Sequence, residues 1–75
     1  MRTVMINREP VELYKILKFE GLAASGAEAK QLIADGQVSV NEQIETRKRR
    51  KMLSGDIVSV HGEDLQLALI ENHNP

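Results

Sequence analysis

Apolar residues recur along this chain with two different periods. Leu13, Ile16 and Leu17 fall at i, i+3 and i+4, with Glu20 at i+7, a helical spacing that makes one narrow apolar stripe. Phe19 stands beside that stripe and is expected in the core. Pro10 suits an early helical position, where its missing N–H costs nothing, and Gly21 suits a stop. The spacing predicts a helix from about Val11 to Glu20. Ala29, Leu32 and Ile33 repeat the pattern behind Ser25-Gly26-Ala27-Glu28. Those four residues read as a capping box: Ser25 accepts from the Glu28 N–H while the Glu28 side chain reaches back to the Ser25 N–H. Gly36 is a natural left-handed stop. Only Leu22, Ala23 and Ala24 separate the two segments, so the helices should pack as an adjacent, angled pair.

From Gln37 onward the period switches from 3.6 to 2. Val38 and Val40 alternate with polar residues, Asn41-Glu42-Gln43 forms a turn, and Ile44 begins a return strand. Ser54-Gly55-Asp56 is a further turn, Ile57 to Val60 is β-branched, His61 to Asp64 turns again, and Leu65, Leu67 and Leu69 alternate in a last strand. Thr3 to Ile6 is β-prone and reads as a short strand. Asn41 and Asp56 are assigned to satisfying turn backbone. The fold class is α+β: two short packed helices followed by a small sheet of short strands.

Length makes this one domain over residues 1–75, its core motif at about 12–60 and a frayed tail at 71–75. The absence of cysteine rules out a disulfide framework and a thiolate metal site, and suits a reducing cytoplasm. The apolar patch at Met1 to Ile6 is too short for a signal peptide, and no stretch approaches the ~20 apolar residues of a membrane span. A soluble, cytoplasmic, monomeric protein is expected. Enzymatic readings fail: His61 and His73 have no metal-ligand spacing, no Ser-His-Asp arrangement is supported, and the glycines form no phosphate-cradling loop. No catalytic residue, metal or cofactor is assigned.

Charge changes the picture most. Arg47, Lys48, Arg49, Arg50 and Lys51 hold five of the chain's ten bases in consecutive positions. The whole chain is formally −1, so the remaining residues carry five bases against eleven acids, a balance of −6. In an extended segment Arg47, Arg49 and Lys51 would face one way and Lys48 and Arg50 the other, so the run must be solvated on both sides. That makes it an exposed loop or a protruding hairpin arm beside the Val38–Ile44 strands. A solvated loop is the bland reading, but five adjacent cations repel one another unless an anion compensates. Phosphates compensate well, since each Lys or Arg can neutralise one and Arg can fork two bonds to it. Lys30, off the buried stripe, and Lys15 and Lys18, three apart on one helix face, are auxiliary phosphate-binding candidates. Tyr14 is read as helix surface. With Tyr14 and Phe19 the only aromatics, no stacking platform is available, and any nucleic acid should be recognised by its backbone and shape.

Several of these residues stand in a familiar order: Ser25, Glu28, Ala29, Lys30, Ile33, Gly36, Val38, Val40, Asn41, Gly55, Asp56 and Ile57. Over about two-thirds of the chain, Leu13 to Val60, the order and spacing resemble the RNA-binding domain named after ribosomal protein S-four, the alpha-L motif. The basic run is similar to that of its small stand-alone bacterial members. The resemblance implies an RNA-binding module whose face is built from the helix pair and the adjoining hairpin. Three positions depart from the family pattern. Gly26 replaces an Arg after the helix-two Ser, Glu12-Leu13-Tyr14 replaces Arg-Leu-Asp, and Glu42 replaces a turn Gly. The first two move the weight of binding onto Arg47 to Lys51.

The expected function is therefore binding of structured RNA, ribosomal RNA or tRNA, with the ribosome as an expected partner, through phosphate contacts of a basic hairpin arm. On this view, reversing Arg47, Arg49 and Arg50 to Glu should abolish binding and leave the fold intact. The alternatives are an adaptor docking an acidic protein surface and a double-stranded DNA binder. The second lacks a helix with cations at its groove-facing start. The first would keep its partner after ribonuclease treatment.

Overall fold

Two helices form where the apolar stripes lie, and the strands follow the alternating segments. The structure, a computed structural model, describes residues 1–70, so the expected frayed tail at 71–75 lies outside the described residues. In chain order the elements are β1 (Arg2–Ile6), β2 (Val11–Glu12), α1 (Leu13–Phe19), α2 (Gly26–Ala34), β3 (Val38–Val40), β4 (Gln43–Ile44), β5 (Lys51–Met52), β6 (Ile57–Val60) and β7 (Glu63–Leu69). The fold is α+β, as the patterning implies. No helix among the described residues is long and apolar enough to cross a membrane.

Both helices end as their glycines predict. Gly21 and Gly36 take φ +73° and +76°, which only glycine adopts at little steric cost. After α1 the Leu22 N–H donates to the Leu17 carbonyl and the Gly21 N–H to Lys18; after α2 the Gln37 N–H donates to Leu32 and the Gly36 N–H to Ile33. Each end is thus a Schellman motif that satisfies carbonyls the helix leaves open. At the start of α2, Ser25 Oγ accepts from the Glu28 N–H at 3.1 Å. The reciprocal half of the capping box differs from expectation. Glu28 Oε2 accepts from the Ala24 N–H at 3.2 Å, one residue earlier.

The start of α1 also differs. Val11 and Glu12 are not helical; they pair antiparallel with Met52 and Lys51 as β2 and β5. Pro10 therefore lies outside the helix, in a cis peptide with Glu9. Periodicity alone cannot separate two residues of strand from one more half-turn of helix. Phe19, expected in the core, is 69% exposed. As the last residue of α1 it lies past the Leu13–Ile16–Leu17 stripe, which is itself almost wholly buried.

The larger sheet has the order β1-β7-β6-β3-β4. β1 runs parallel to β7, with Val4 opposite Leu67, while β7, β6, β3 and β4 are successively antiparallel. Its inward residues Val4, Val38, Val40, Val58, Val60, Leu65 and Leu67 meet Leu13, Ile16, Leu17, Ala29 and Ile33 from the helices, with Met52 fully buried among them. The core thus draws on β1 and β7 as well as the 12–60 segment. Asn41 and Glu42, both at positive φ, make the tight β3–β4 turn. Asn41 Oδ1 accepts from the Ile57 N–H at 2.9 Å and Asp56 Oδ2 from the Leu53 N–H at 2.9 Å, so both side chains serve turn backbone as predicted.

Ile33 has no exposed surface, and Ile33→Ala is expected to cost about 2–5 kcal/mol. Ser25→Ala, which removes one cap bond at the surface, should cost only about 1 kcal/mol. Urea unfolding of the two variants beside the parent protein checks both values.

Candidate nucleic-acid interface

The basic run is built onto the start of α1 by its backbone. Glu12, at the N-cap, makes no side-chain cap bond, so the first helical N–H groups need other acceptors. The run supplies them: the Leu13 N–H donates to the Arg50 carbonyl at 2.9 Å and the Tyr14 N–H to the Lys48 carbonyl at 3.1 Å. Lys51 then pairs with Glu12 in the β2–β5 ladder. Between these anchors the Arg50 N–H closes a turn on the Arg47 carbonyl at 3.2 Å. The run is therefore not a protruding arm of the β3–β4 hairpin, whose tip is Asn41–Glu42. It is an exposed turn strapped across the start of α1.

The turn also overrides the expected alternation of side chains. Arg47 and Arg50, predicted on opposite faces, converge on one carboxylate. Glu45 Oε1 lies 2.9 Å from Nη2 of Arg47 and 2.9 Å from Nη1 of Arg50, and Glu45 Oε2 accepts from Nε and the backbone N–H of Arg47, each at 3.0 Å. Glu45 is 7% exposed, a charged side chain buried beneath the run. Hydrogen bonding from Arg47, opposed by desolvation and reinforced by Arg50, lowers its pKa from 4.5 to about 2. Glu12 plays a similar part nearer the surface, accepting from Arg49 Nη1 at 3.1 Å with Lys15 Nζ at 3.3 Å. Arg49 chiefly lowers the Glu12 pKa, and Glu12 raises that of Arg49. Sequence reasoning missed the ion-pair role of both acids, since Glu12 entered only as a departure from the family pattern. The only available signal was a lone Glu45 two residues before a cationic run.

Reversing Arg47, Arg49 and Arg50 to Glu is thus not the clean test it seemed. It would place new carboxylates against buried Glu45 and against Glu12, disturbing the fold along with any binding. Lys48 and Lys51 are exposed and, among the described residues, have no carboxylate partner within 4 Å. They are the cations that can be changed without breaking an ion pair.

Tyr14 joins the run to the helices. Lys30 Nζ of α2 lies 4.6 Å from its ring centroid, the Arg49 guanidinium 5.4 Å and Lys15 Nζ 6.0 Å. Cations over an aromatic face are held by its quadrupole. Gly26 fits this cluster: a Cβ there would lie 3.7 Å from the Tyr14 ring. The two departures from the family pattern at helix starts, Tyr14 and Gly26, thus lie next to each other. The predicted candidates Arg49, Lys30 and Lys15 come together here. Lys18, exposed near the other end of α1, lies outside the cluster.

A packed helix pair followed by a small sheet of short strands is the architecture of an alpha-L module. A family model described as the S4 domain matches residues 4–68. The chain belongs to the S4 domain family. It is 47% identical over 68 residues to the Escherichia coli protein named "Putative RNA-binding protein YbcJ", covering 89% of this chain and 97% of that one. A Bacillus subtilis relative, "Probable ribosome maturation protein RlbA", is 32% identical over 59 residues, 79% of this chain and 83% of the relative. The solution structure of YbcJ, described as revealing an alpha-L motif involved in RNA binding, superposes with a TM-score of 0.68 over 89% of this chain and 86% of YbcJ. The chain is thus of the YbcJ type that its basic run resembles.

Because the folded-state pKa of Glu45 is depressed, its stabilisation is complete above about pH 4.5 and is lost as pH falls toward about 2. Glu45→Gln should therefore cost about 2 kcal/mol at pH 7, and the gap from the parent protein should close across that acid window. Urea unfolding at a series of pH values measures it.

Proposed function

We propose that this protein is a stand-alone RNA-binding protein that holds the phosphate backbone of a structured RNA, and that it acts by binding alone, as a monomer in the cytoplasm. The observation that carries the reading is the convergence at Tyr14, where Arg49 of the run, Lys30 of α2 and Lys15 of α1 meet. Three chain segments far apart in sequence thereby form one cationic surface, which Lys48 and Lys51 extend. The name of YbcJ supports RNA as the ligand, and that of the Bacillus relative favours ribosomal RNA over tRNA.

The chemistry is electrostatic. A duplex region of RNA presents phosphates and 2′-hydroxyls, and proteins read it by shape. Arg47, Arg49 and Arg50 each keep donors beyond those given to Glu45 and Glu12, because a guanidinium has five N–H groups. Their ion pairs hold the guanidiniums in place before RNA arrives, so less side-chain freedom is lost on binding. Lys48, Lys51 and Lys30 provide charge that no carboxylate among the described residues engages.

If about four phosphates are neutralised, log K should fall with log salt at a slope of roughly −3 to −4. Lys30→Glu, Lys48→Glu and Lys51→Glu combined should abolish binding to a ribosomal RNA hairpin while the melting temperature stays within a few degrees of the parent. Fluorescence anisotropy at several salt concentrations, with a thermal melt of the same samples, tests this. Undiminished binding by the folded triple variant at physiological salt would refute it.

A further inference from the structure

Phe19 gives this surface a second component. It is 69% exposed at the end of α1 and lines a groove of about 880 Å³ between α1 and β1. Met5, 54% exposed, and Ile70, 42% exposed, line the same groove, so three of the large exposed apolar side chains gather in one place. Around them stand Lys15, Lys18, Lys51 and Arg8, against the carboxylates of Glu12 and Glu20. Glu12 is paired with Arg49 and Lys15, which leaves Arg8, Lys18 and Lys51 against Glu20 among the described residues, a positive balance.

We infer that this groove takes an unpaired nucleotide of the bound RNA, its base stacked on Phe19 and its phosphates on Lys15, Lys18 and Lys51. The inference rests on the proposed RNA-binding function. Three features select this occupant. The groove is continuous with the basic run, because Lys51 belongs to both; a strand held at Lys51 can turn its next base inward. An apolar floor beneath cations suits a flat base carrying a phosphate better than it suits an acidic peptide, whose carboxylates gain nothing from an aromatic face. Finally, Phe19 is the more exposed of the two aromatic rings that line the groove. Tyr14, the other aromatic of the chain, already has Lys30 over its ring at 4.6 Å. Single-stranded RNA is recognised by such splayed bases on aromatic side chains, and no run of aromatics is needed to hold one. Lys18, left outside the Tyr14 cluster, acquires a role here.

The test compares one RNA hairpin with a blunt end and the same hairpin with a three-nucleotide single-stranded extension, 5′ or 3′, by fluorescence anisotropy. The parent protein should bind one extended form about tenfold more tightly, in line with stacking of one base on an aromatic ring. An abasic extension of equal length should lose that gain. Phe19→Ala should bind the blunt hairpin as the parent does and lose the preference. Phe19→Tyr should retain it, and so should Leu53→Ala, which alters an exposed apolar residue outside the groove. Equal parent binding to blunt and extended hairpins, or an unchanged preference in Phe19→Ala, overturns the inference and leaves the RNA-binding function standing. Failure to bind any of the hairpins overturns both.

Discussion

The structure depends on a backbone bargain between the basic run and α1. Two helical N–H groups at Leu13 and Tyr14 have no side-chain cap, and the carbonyls of Arg50 and Lys48 accept from them. Cations near a helix N-terminus are electrostatically unfavourable, by about 0.3–1 kcal/mol each. The chain offsets this with Glu12, which pairs with Arg49, and Glu45, which pairs with Arg47 and Arg50. Backbone bonds and the two acids hold the strap together.

That arrangement changes what a dense cationic run means. Five adjacent charges on a free loop would spread apart and sample many directions. Here Arg47 and Arg50 share buried Glu45, and Arg49 spans Glu12 and the Tyr14 ring. The charges are held at set positions, and the less committed ones, Lys48 and Lys51, flank them. Local charge density came from the residues themselves; the direction in which it points came from two carboxylates and one aromatic ring.

Much of the fold was legible where a residue's role depends on its near neighbours. The Ser25 cap, the glycine stops at 21 and 36, the alternation of Val38 and Val40, and the backbone roles of Asn41 and Asp56 all emerged as patterned. These are contacts over a few residues, or across one tight turn. Failures came where a distant segment decided the outcome. Val11 and Glu12 became strand because Met52 and Lys51 lie beside them. Phe19 stayed outside because the core beneath α1 was already filled by Leu13, Ile16 and Leu17. Glu28 capped Ala24 rather than Ser25, a shift of one residue that propensity does not resolve.

The basic run shows the same division. Its five charges, its solvated character and its likeness to the S-four domain were properties of the sequence by itself, since charge and order need no fold. Its shape, its fastening to α1, the burial of Glu45 under it and its meeting with Lys30 at Tyr14 were decided only in three dimensions. The reason is physical: a helix start must find hydrogen-bond acceptors, and which carbonyls provide them depends on what the finished sheet brings within 3 Å or so. No periodicity in the chain records that choice.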